Sequence, residues 1–71
     1  MKTRTPHDWT WEAWRVRLGR LLRRTESRYD LDPGEILLAT GTHRNELQEL
    51  WTYGWTPGEA ARAITEALGL R

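Results

Sequence analysis

The sequence predicts a compact all-α domain of four helices, and three observations lead there. A repeated capping signal marks helix starts, apolar residues recur at three- and four-residue spacing, and no stretch alternates with period two for long enough to make a strand. The signal reads Thr5-Pro6-His7-Asp8, Asp32-Pro33-Gly34-Glu35 and Thr56-Pro57-Gly58-Glu59. Each places a capping side chain first, Pro at the first helical position and a carboxylate two residues later. That carboxylate can take orphan amides and favour the helix dipole. A fourth start is predicted at Thr42, directly after Gly41, with Asn45 and Glu46 in its first turn. Gly41, Gly54 and Gly69 each follow a predicted helix and can supply a left-handed C-terminal cap. The helices are therefore expected at about 6–28, 33–40, 42–53 and 57–68.

Within helix 1, Trp11, Trp14, Leu18, Leu21 and Leu22 form a core stripe. Trp9, Ala13 and Val16 make a second, narrower apolar stripe roughly opposite. Two stripes need two surfaces to bury them: either the N-terminal turn bends back over Trp9, or a dimer or partner covers it. Helix 3 points Leu47, Leu50 and Trp51 inward, leaving Asn45, Gln48, Glu49 and Thr52 outward with Arg44 on the flank. Helix 4 offers Ala60, Ile64, Ala67 and Leu68 to the core, and Trp55 precedes its cap as a hydrophobic staple.

Composition narrows the function. Seventy-one residues make one domain, which buries only about 60% of its unfolded surface. The five tryptophans can support such a small core. Without cysteine there is no disulfide framework or thiolate metal site, and His7 and His43 have no second ligand at metal spacing. Neither a membrane span nor a signal peptide is visible, so a soluble, cytoplasmic protein is expected. No nucleophile–base pair, phosphate loop or paired-carboxylate site stands out; the expectation is a non-enzyme without cofactor or metal. The net charge of +1 hides an uneven distribution. Residues 1–28 carry eight basic and three acidic groups, a net +5, and residues 29–71 a net −4. Ten of the eleven basic residues are Arg, the side chain suited to bidentate contacts with phosphates and bases.

The short second helix, the Thr40-Gly41-Thr42 turn and the polar start of helix 3 have the layout of a helix-turn-helix. Leu18-Gly19-Arg20-Leu21-Leu22-Arg23, Leu31-Asp32-Pro33-Gly34-Glu35-Ile36, Ala39-Thr40-Gly41-Thr42-His43-Arg44-Asn45-Glu46-Leu47, Gly54-Trp55-Thr56-Pro57 and Ala63-Ile64-Thr65-Glu66-Ala67-Leu68-Gly69-Leu70 carry the match further. From Leu18 to Leu70 the chain resembles the repressor/Cro-type helix-turn-helix family, the fold of lambdoid phage repressors and many bacterial and plasmid regulators. The stretch around Gly41 is the most specific part. The resemblance implies a single helix-turn-helix domain over residues 1–71, with residues 1–17 a Trp-rich extension of helix 1. Several family positions are changed. Pro33 replaces a phosphate-clamping Gln, Leu37 replaces a small Ala under the turn, and Glu26 and Trp51 stand where the family pairs an Arg with a Glu. The loss of both members of that pair suggests packing rebuilt around tryptophan.

What the resemblance implies for function is a small sequence-specific DNA-binding transcriptional regulator of phage, plasmid or bacterial type, acting on double-stranded DNA as a homodimer. Arg44, Asn45, Gln48 and Glu49 fall at the base-reading positions; Arg can grip guanine, Asn adenine, and Glu the cytosine amino group. Arg20, Arg23, Arg24 and His43 are the expected phosphate contacts. Trp9 and Val16, or the end of helix 4 around Leu68 and Leu70, are candidate dimer or protein contacts. The competing expectation is a protein-binding module on a repurposed fold, an inhibitor or adaptor of a host or phage factor. The absent Gln, Glu46 and Glu49 on the reading helix, and the Trp9 stripe all favour it.

Overall fold

A computed structural model describes residues 9–70, in which four helices follow one another: α1 Trp11–Arg28, α2 Glu35–Thr40, α3 Arg44–Thr52 and α4 Pro57–Ala67. Among the described residues there is no strand, as the all-α expectation requires. The core is one cluster in which Trp14, Leu18 and Leu22 of α1 meet Ile36 of α2, Leu47 of α3 and Ala60, Ala61 and Ile64 of α4. Trp11, Leu21, Leu50, Trp51 and Leu68 pack half-buried around it.

Helix 1 begins later than expected. Pro6, His7 and Asp8 lie outside the described residues, but Trp9 and Thr10 are described and are not helical. Thr10 is extended and caps the helix, its hydroxyl oxygen accepting from the Ala13 amide at 3.1 Å. Helix 2 also starts two residues late. Asp32-Pro33-Gly34-Glu35 forms a type II turn, with Pro33 at its second position, Gly34 at φ +83° and the Glu35 amide donating to the Asp32 carbonyl at 3.0 Å. The left-handed Gly34 cannot belong to the helix, and it leaves α2 without a side-chain cap of its own. Helix 3 starts at Arg44 rather than Thr42, because His43 is extended and occupies the cap position. Helix 4 alone starts as expected. Pro57 is its first residue, the Thr56 hydroxyl accepts from the Glu59 amide at 3.2 Å, and Glu59 reaches back to the Thr56 amide at 3.0 Å. Its inward face is corrected at one position: Ala67 is exposed, and Ala61 takes its place in the core.

All four helices end in the same way. After α2, α3 and α4 the chain turns left-handed at Gly41, Gly54 and Gly69, as expected. In each case the glycine amide bonds a carbonyl three residues back, and the next amide bonds one five residues back. Helix 1 closes identically at Asp30, φ +60°, with no glycine to announce it.

Two polar bonds fasten the other elements to α1. The Trp14 indole, wholly buried, donates to the Trp55 carbonyl at 2.6 Å and so holds the connection between α3 and α4. Glu26, one helical turn beyond Leu22, is 2% exposed. Its carboxyl group accepts from the Ile36 amide at 3.1 Å, supplying the cap that Gly34 cannot. Sequence reasoning placed Glu26 only as one half of a lost ion pair; it is the tertiary cap of α2. The expected tryptophan packing is present: Trp11 stacks on Trp14 with ring centroids 5.9 Å apart, and lies at the same distance from Trp51 at a tilt of 56°.

These bonds generate two stability predictions, both readable by urea denaturation. Glu26→Ala strands a buried amide and should cost about 1–3 kcal/mol, whereas Glu26→Gln keeps an acceptor and should restore most of that. An equal loss in both variants contradicts the capping role. Among the described residues the buried indole nitrogen of Trp11 has no hydrogen-bond partner, unlike that of Trp14. Trp11→Phe should therefore cost less than Trp14→Phe by roughly 1 kcal/mol or more.

Candidate nucleic-acid interface

The tight turn between α2 and α3 is fixed by its own hydrogen bonds. Gly41 sits at φ +69°, its amide bonding the Leu38 carbonyl, while the Thr42 amide bonds the Leu37 carbonyl at 3.0 Å. The Thr40 hydroxyl reaches the Ile36 carbonyl at 2.9 Å and the Thr42 hydroxyl at 2.7 Å. This ties the end of one helix to the start of the next. At the start of α3, Glu46 accepts from the His43 amide at 2.8 Å. One of the two acidic groups on this helix is therefore engaged at its own helix start.

Burial sets the roll of α3. Leu47 lies in the core and Leu50 and Trp51 are half-buried, so Arg44, Asn45, Gln48, Glu49 and Thr52 face solvent. The structure brings Asn45, Gln48, Glu49 and Thr52 together along one shallow groove, which Tyr53 also lines. Arg44 and His43 stand exposed at the helix start, outside that groove. Sequence reasoning missed Tyr53, which is 55% exposed. Its position four residues after Glu49 was the available signal.

Of the expected phosphate contacts, Arg20, Arg23 and Arg24 stand at three- and four-residue spacing on one side of α1 but differ in their neighbours. All three helix 1 arginines in that set are exposed. Arg23 stands 3.9 Å from the buried Glu26 carboxyl, a contact that holds it over the start of α2. Arg24 forms no ion pair among the described residues. Arg20 instead borders a groove on the outer side of α1 together with Trp9, Ala13, Val16 and Arg17.

Trp9 and Val16 are 37% and 46% exposed. The main chain at Trp9 is held against α3 all the same, because the Trp9 carbonyl accepts from the Trp51 indole at 2.8 Å. Leu70, by contrast, is half-buried against the core and lines a separate groove with Arg28 and Thr65. Among the described residues no group of three or more His, Cys, Asp or Glu is placed to hold a metal ion, and no helix is long and apolar enough to cross a membrane. Comparison of the chain with protein-family models, with curated proteins and with solved structures finds no match.

The turn carries its own test. A Cβ built at Gly41 meets nothing within 4 Å, so Gly41→Ala should cost only the strain of the left-handed backbone, about 1 kcal/mol. Asp30 holds the same conformation without glycine's freedom. Asp30→Gly should shift thermal unfolding in the opposite direction, by about 0.5–1 kcal/mol of added stability. Shifts of the same sign in both variants are the contrary result.

Proposed function

We propose that the chain is a small sequence-specific DNA-binding transcriptional regulator that acts as a homodimer, with α2, the Gly41 turn and α3 as its helix-turn-helix. The observation that carries the reading is the exposed polar face of α3, where Arg44, Asn45, Gln48 and Glu49 share one side of a helix whose roll Leu47 sets. In this reading α3 lies in the major groove. Arg44 pairs with guanine and Asn45 with adenine through two hydrogen bonds each, while Gln48 and Glu49 reach bases one turn further along. Capping by Glu46 supports it, since a carboxylate held at the helix start opposes the approach of phosphate less than one directed outward. Arg20, Arg23, Arg24 and His43 supply phosphate contacts, which position the protein without reading sequence.

A homodimer follows from the size of the reader. One nine-residue helix covers a half-site, and a two-fold pair of them reads a palindrome with half-sites about one helical turn apart. The protein then performs no catalysis, needs no cofactor and works on cytoplasmic DNA.

Selection from random DNA duplexes at two salt concentrations tests this. An enriched palindrome, bound more weakly as salt rises because contacts to phosphate release counterions, is the expected outcome. Absence of enrichment at low salt overturns the reading. On the selected site, Arg44→Ala should weaken binding about ten-fold or more, with little change on unrelated duplexes. Equal loss on all sequences would reassign Arg44 to phosphate.

A further inference from the structure

The outer side of α1 carries a groove that DNA reading does not explain. Trp9, Ala13 and Val16 supply its apolar lining, with Arg17 and Arg20 beside them. It lies on the side of α1 away from the core stripe of Trp14, Leu18 and Leu22, so no other helix among the described residues fills it. Arg17 and Arg20 form no ion pair among the described residues, whereas Glu12, also on the border, is paired with Arg15.

We propose that this groove docks an acidic amphipathic helix of a partner protein. Shape supports a helix as the occupant. From Thr10 to Arg20 the groove runs about 15 Å along α1, the length of roughly ten residues or three helical turns. The small Ala13 between Trp9 and Val16 lets a second helix axis approach closely, and the two larger side chains flank the place where apolar residues spaced three and four apart would seat. Charge decides the partner's chemistry. The guanidinium groups of Arg17 and Arg20, unpaired among the described residues, call for carboxylates flanking the apolar ridge. A second copy is the poorer occupant, because pairing α1 with itself sets one strongly basic segment, net +5 over residues 1–28, against another.

The surface shares Arg20 alone with the proposed DNA contacts; Trp9, Val16 and Arg17 belong to none of them, so each reading can fail alone. The probe is a fluorescently labelled, lactam-bridged helical peptide of about twelve residues, with leucines at three–four spacing flanked by glutamates, titrated against the full chain by anisotropy. Its counterpart carries lysine for every glutamate. The glutamate peptide should bind at least about ten-fold more tightly. Val16→Lys should weaken it by a similar factor, and Arg17→Glu with Arg20→Glu should reverse the preference between the two peptides. Far-UV circular dichroism should be unchanged in these variants, since all three side chains are exposed. Trp9→Ala should also weaken binding, as expected of a buried aromatic contact, without releasing the main-chain bond to Trp51. Equal affinity for the two peptides, or insensitivity to the Val16 and arginine variants, overturns the proposal. So does self-association of the wild-type chain that Val16→Lys abolishes, because the face would then belong to a second copy.

Discussion

A buried indole cannot leave its N–H unpaired without cost, and Trp14 meets that demand at the main-chain carbonyl of Trp55. The rest of the structure depends on this bond and on its counterpart three turns further along α1. There Glu26 meets the opposite demand, an unpaired amide at the start of α2. Leu18 and Leu22 lie between them on the same stripe. One helix face therefore does two things: its apolar middle fills the core, and its polar ends locate α2 and the approach to α4. With both connections held, α3 has little freedom left, and Leu47 turns it so that its polar residues look outward.

The tryptophans divide the remaining work unevenly. Trp14 is satisfied in the core, Trp51 ties down the main chain at Trp9, and Trp11 fills space between them with its nitrogen unpaired among the described residues. An orphaned donor inside so small a core is tolerated because the ring contributes large apolar contact with two neighbouring indoles. The proposed reading face draws nothing from these contacts, whereas the outer groove of α1 shares Trp9 with them. Asn45, Gln48, Glu49 and Val16 are exposed and add little to the core.

Much of this was legible in the residues. Periodicity identified Trp14, Leu18 and Leu22 as core and separated Leu47 from Asn45 and Gln48 on α3, because a helix repeats every 3.6 residues whatever surrounds it. The glycines after α2, α3 and α4 announced their left-handed caps for an equally local reason. Asp30 takes the same backbone with a side chain that tolerates it only moderately, so nothing in the sequence marked it. The candidate site was legible on α3 and illegible on α1. Arg20, Arg23 and Arg24 look alike in sequence, yet one borders an apolar groove and another leans toward a buried carboxyl group.

The tripeptide Pro-Gly-Glu occurs twice, at 33–35 and at 57–59, and it separates the two kinds of information. By itself the sequence determined that a helix begins at each occurrence, since the proline, the carboxylate and the apolar spacing that follows are local instructions. Only the tertiary structure decided where each helix starts. At 57 the proline is buried against the core and Thr56 caps the helix from within, so the glycine is helical. At 33 the proline is exposed, and the cap comes from Glu26 across the chain, aimed at the Ile36 amide. The preceding residues are then free to form a type II turn with Gly34 at positive φ. Capping by the next residue in the chain can be read from its neighbours; capping by a residue ten positions earlier depends on how two helices pack, which no local pattern contains.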